Sequence, residues 1–152
     1  MKPVEQISTS MRPPATAMMI ALSGLMVMAS IMVLTGDPMF TRDAAELCIT
    51  AFLGAGAAGF ASFWCFGHER RRGYLLALLG GVGATIIGAF LAGLMYFGLF
   101  EQEGLVDTMS ISLLAAFFIM SMIVTSPVGI VWVASMLGTH VMAQRLRRRD
   151  QV

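Results

Sequence analysis

Four stretches of this chain contain no Asp, Glu, Lys or Arg: residues 13–36, 47–68, 73–100 and 108–144. A helix needs about 20 mostly apolar residues to cross a hydrocarbon layer roughly 30 Å thick, and each stretch is long enough to do so. With 57% hydrophobic and only 12% charged residues, the chain has too little polar surface to cover a water-soluble core of its size. The expected fold is all-α: one domain over residues 1–152, a bundle of four transmembrane helices at about 14–35, 44–66, 74–100 and 108–140, followed by a basic tail, 141–152. The first span reads as a retained anchor. Met18–Leu34 is longer than a cleavable signal core of about 7–15 residues and has no small-residue cleavage pattern behind it.

The basic residues set an orientation, because loops on the cytoplasmic side are enriched in Lys and Arg. With four spans, one side holds Lys2, Arg12, Arg70, Arg71, Arg72, Arg145, Arg147, Arg148 and Arg149, which leaves Arg42 alone on the other. Asp37, Asp43, Glu46, Glu101, Glu103 and Asp107 gather with Arg42. This predicts both termini in the cytoplasm, in a bacterial inner membrane. The arginines of the 70–72 loop and of the tail are then expected to meet anionic lipid head groups.

Local signals place the turns. Gly36-Asp37-Pro38 stops the first helix, and Thr41 or Asp43 can cap the second in front of Glu46. The connection 68–73 is short enough to make helices 2 and 3 an antiparallel hairpin. Helix 4 is longer than one crossing requires, and Thr125-Ser126-Pro127 interrupts it. Proline removes a backbone donor and clashes with the preceding turn, so a kink is expected near Val124.

Membrane helices associate through close approach at small residues, since lipid tails are as apolar as leucine. Helix 3 carries Gly80, Ala84, Gly88 and Ala92 at intervals of four. Helix 2 offers Gly54, Ala55, Ala58 and Gly59, and the pair is expected to make the tightest contact in the fold. Gly54, Gly56 and Gly59 also spell a dinucleotide-binding pattern, but inside an apolar helix with no preceding strand they are packing residues. The glycine-rich run of helix 3 is similar to the Gly/Ala-repeat helices of small bacterial membrane proteins of the transglycosylase-associated type. That similarity implies helix packing alone.

Chemistry is sparse. No ionisable carboxylate or ammonium falls well inside a span, which disfavours a carrier working through a buried carboxylate. No nucleophile has an evident base, and no paired carboxylates define a pocket. Neither a catalytic residue nor a cofactor is expected, and nothing points to nucleic acid. Met28 and Met32 make an M-x-x-x-M pair that resembles the methionine motif of copper transporters of the Ctr type, and thioethers suit Cu(I). The chain departs from that family in its four spans and in lacking an outer methionine-rich tail, so the pair is a weak metal candidate. Cys48 and Cys65 lie 17 positions apart on one helix, roughly 25 Å, too far to bridge.

The expected role is non-catalytic: an accessory or assembly subunit, or scaffold, that meets another membrane protein, or a second copy of itself, through small-residue faces. The alternative is a small oligomeric channel or transporter subunit whose pore is lined by Thr85, Ser121, Thr125 and Ser126 near the break at Pro127.

Overall fold

A computed structural model describes residues 12–36, 42–68, 71–101 and 104–149. The expected N-terminal tail, Asp37-Pro38, Thr41 and Arg70 lie outside these residues. Among them the chain forms five helices: α1, Arg12–Thr35; α2, Ala44–Ser62; α3, Arg71–Leu99; α4, Leu105–Thr125; and α5, Val128–Arg149. Four segments are long and apolar enough to cross a membrane: Pro13–Thr35, Ala44–Cys65, Gly73–Leu99 and Leu105–Thr125.

The helix ends follow from local chemistry. Gly36 closes α1 in the left-handed region at φ 58°, and its N–H donates to the Met32 carbonyl at 3.1 Å. Asp43 stands at the start of α2 but makes no side-chain cap. Its carboxylate accepts the Tyr96 hydroxyl of α3 instead, at 3.0 Å. Past Ser62 the chain tightens into a 3-10 turn, Phe63–Cys65, then extends at Phe66 and reverses at Gly67, φ 79°. The second helix is thus shorter than the expected 44–66.

Helix 4 is the main correction. The kink expected near Val124 is a full break, and the segment 108–140 is two helices. Ser126 is extended (φ −130°, ψ 168°), as the ring of a following proline demands. Pro127 then sits where a missing N–H costs least, just ahead of α5. The Ser126 Oγ accepts the Val128 N–H at 3.3 Å and starts the new helix. From there α5 continues to Arg149, so the first part of the expected tail is helical.

Packing runs in sequence. α1 is antiparallel to α2, with Gly24 against Ala51 and Ala55 and Gly59 against Ile20. α2 is antiparallel to α3 through Gly54, Gly88 and Ala92. The first half of α4 lies on the last turns of α3, Ser112 against Gly93. The break sits beside Ser30, Val33 and Leu34 of α1. α5 then returns along α3, with Trp132 and Met136 at Gly81 and His140 at Tyr74. The fourth passage from one end of the molecule to the other is therefore shared between α4 and α5.

The expectation that helices 2 and 3 form the tightest pair is met only in closeness. A Cβ at Gly54 would run into the Gly88 carbonyl oxygen and come within 2.8 Å of the Ala92 nitrogen, so those backbones nearly touch. The more extensive contact is α1 with α2. The reason is that α2 has small residues on two sides, Gly54 towards α3 and Gly56 and Gly59 towards α1.

Candidate functional site

The helix hydroxyls that a polar path would need are mostly consumed by their own helices. Ser23, Thr50, Thr85, Ser112, Thr125, Ser135 and Thr139 each donate to the carbonyl four residues back. Thr85 faces the interior, where its oxygen also accepts the Trp132 indole N–H at 2.8 Å. Ser121 and Thr125 are exposed on the perimeter, Pro127 likewise, and Ser126 is half-buried. The chain thus brings Ser121, Thr125, Ser126 and Pro127 together at the break but places Thr85 apart from them.

The eight small packing residues sit on contacting faces. Gly54, Ala58, Gly59, Gly80, Ala84, Gly88 and Ala92 are buried and Ala55 is half-buried against Gly24 and Gly88. They serve several neighbours: Gly80 receives Cys65, and its neighbour Gly81 receives Met136. Met28 is buried and Met32 half-buried, and among the described residues no group of three His, Cys, Asp or Glu could hold a metal. Arg71 and Arg72 fall in the first turn of α3, while Arg145, Arg148 and Arg149 are exposed at the end of α5 and Arg147 is half-buried there.

Between the helices lies a cavity of about 340 Å³. Its walls come from α1 (Met28, Ile31), α2 (Leu47, Thr50, Ala51), α3 (Ala89 to Phe97) and α4 (Ile111 to Ile119). It continues into a narrower space of about 60 Å³ that reaches Thr85, Trp132 and Met136, the two sharing Met28, Ile31, Ala89 and Ile119. The cavity is about half open to the outside of the bundle, and its lining is almost wholly apolar. Water is a poor filler, because a buried water needs two to four polar partners. The wider cavity offers the hydroxyls of Thr50 and Tyr96, and both are already bonded.

One end of this cavity is polar. The buried Tyr96 hydroxyl lies 3.0 Å from Asp43 Oδ2 and 3.4 Å from Glu101 Oε1, so two carboxylates converge on one phenol. Arg42 approaches Asp43 at 3.9 Å, with its side chain 89% exposed.

At the opposite end, α5 latches onto the turn between α2 and α3. The Gly67 N–H donates to His140 Nδ1 at 3.2 Å, and the Gln144 amide donates to the His68 carbonyl at 3.0 Å. His140 Nε2 lies 3.0 Å from the same Gln144 amide nitrogen. Tyr74 lies over the same ring at 4.6 Å between centroids. His140 is fully buried at this end, where α5 meets the turn between α2 and α3. Burial, then the neighbouring His68 and Arg147, hold it below the ordinary histidine value. His68 Nδ1 is buried without a partner among the described residues.

Sequence reasoning found neither the cavity nor the latch. A legible signal for α5 was its buried stripe of Val128, Trp132, Met136, Thr139, His140 and Ala143, spaced as one face of a helix.

Comparison with known proteins found no matching family model, no matching curated protein and no matching solved structure.

Proposed function

We propose that this chain is an accessory or assembly subunit of a larger complex in a bacterial inner membrane, a four-helix transmembrane bundle with both termini cytoplasmic. The observation that carries the reading is the outward face of α5. Ala134 and Gly138, four apart on that face, are exposed, and a side chain at Gly138 would meet nothing within 4 Å. Exposed small residues at that spacing allow a partner helix to approach closely, and close approach is what drives association in lipid. Ile130 (75% exposed) and Leu137 (48% exposed) flank them with apolar surface. The arginines at the end of α5 suit anionic lipid head groups on the cytoplasmic side and the positive-inside orientation. No nucleic acid, cofactor or reaction enters this reading.

A second reading is favoured by one observation. Ser121 and Thr125 face outward beside the helix break, so a pore lined by them would form between copies of the chain rather than within one.

Purification in mild detergent tests both. The subunit reading expects a stoichiometric membrane partner that is lost from Gly138→Leu while the variant keeps its helix content. A clean homo-oligomer with ion flux in liposomes, abolished by Thr125→Ala with Ser126→Ala, would replace it with the second reading.

A further inference from the structure

We propose that the cavity between α1, α2, α3 and α4 binds one hydrocarbon chain of a phospholipid whose zwitterionic, ammonium-bearing head group lies at the Asp43–Glu101 end. The inference is independent of the accessory role. The space is far larger than one water requires, and the two hydroxyls on its wall, Thr50 and Tyr96, are already satisfied. The space is half open and its lining is apolar, so hydrocarbon suits it better than water does. A bilayer supplies hydrocarbon chains at the wall itself: Leu114 and Phe118 line the cavity and are also 67% and 46% exposed on the outside of α4. The narrower continuation towards Trp132 gives a chain room to extend.

The polar end selects the head group. Asp43 and Glu101 both approach the Tyr96 hydroxyl at the end of the cavity, and the cation described beside them, Arg42, is largely in solvent. An anionic head would face like charge there, whereas a positively charged ammonium offsets the carboxylates.

The test uses Trp132, which is buried and lines the narrow part of the cavity, as a reporter. The exposed Trp64 is removed as Trp64→Phe, and the protein is placed in phosphatidylcholine bilayers brominated in mid-chain. Emission from Trp132 is expected to fall at least twofold relative to unbrominated bilayers. Filling the cavity with Ala115→Phe, or its neck with Ile119→Phe, is expected to restore at least half of that loss. Native mass spectrometry from micelles should show one retained phospholipid in the unfilled protein and none in the filled variants. Unchanged Trp132 emission, quenching that persists in both filled variants, or no retained lipid overturns the proposal, and a partner side chain seated in the cavity would give the first of these. Brominated phosphatidylglycerol diluted into plain phosphatidylcholine should quench less than the reciprocal mixture, and Asp43→Asn with Glu101→Gln should remove the difference. Equal quenching by both lipids in the unsubstituted protein overturns the head-group assignment.

Discussion

At the scale of single residues, glycines separate into those that hold helices together and those that do not. Gly54 sits where any side chain meets the backbone of α3, and at Gly67, with a left-handed φ of 79°, an added Cβ would come within 2.9 Å of the Ala143 backbone. Gly83, on the same helix as Gly88, has open space around it. Gly54→Ala and Gly67→Ala should each destabilise the protein by about 1–3 kcal/mol through forced backbone shifts, whereas Gly83→Ala should be neutral or up to about 1 kcal/mol stabilising through helix propensity. Unfolding in mixed micelles checks all three, and equal effects at Gly54 and Gly83 would refute the assignment. The spacing of these residues was legible in the sequence, but their partners were not. Intervals of four mark a ridge on α2 without saying which neighbour occupies it, and α2 divides its small residues between α1 and α3. Asp43 teaches the same lesson: its position marks a helix start, yet its carboxylate is taken by Tyr96, 53 residues away.

Among the elements, α5 is where sequence and structure differ most. Pro127 fixes the place of an interruption, but whether a helix bends or breaks depends on whether the segment beyond it finds its own packing. α5 finds it along α1 and α3, through Trp132 to Thr85 and through His140 to Gly67. The second of these contacts is sensitive to acid. His140 is held below its ordinary value of 6.5, so the unfolded chain takes up this proton before the folded one as the pH falls. Stability contributed by the latch is therefore complete above about pH 6.5 and declines as the pH drops below it. The groups facing this ring are His68 on the turn, Tyr74 on α3, and Gln144 and Arg147 on α5. The midpoint of thermal unfolding in micelles should fall between pH 8 and pH 5, and His140→Gln should flatten that dependence. A variant with the same slope as the parent would remove His140 from the account.

At the scale of the whole molecule, the helix contacts bring charge to two ends. Arg12, the start of α3 and the end of α5 share one end; Arg42, Asp43, Glu101 and Asp107 share the other. The four apolar segments were readable from charge-free length alone, since nothing else in a chain this apolar satisfies the backbone in hydrocarbon. The cavity was not readable, because it is the space left where four helices diverge, and no residue pattern records a gap. The proposed positive-inside orientation rests on this basic end, and the proposed cytoplasmic placement of both termini rests on that orientation. Single cysteines in a Cys48→Ser, Cys65→Ser background, probed on intact cells with a membrane-impermeant thiol reagent, test it most directly. Gln102→Cys should label from outside, and Gln6→Cys, Glu69→Cys and Gln151→Cys should label only after the membrane is opened. Labelling of Gln6→Cys or Gln151→Cys on intact cells would contradict it.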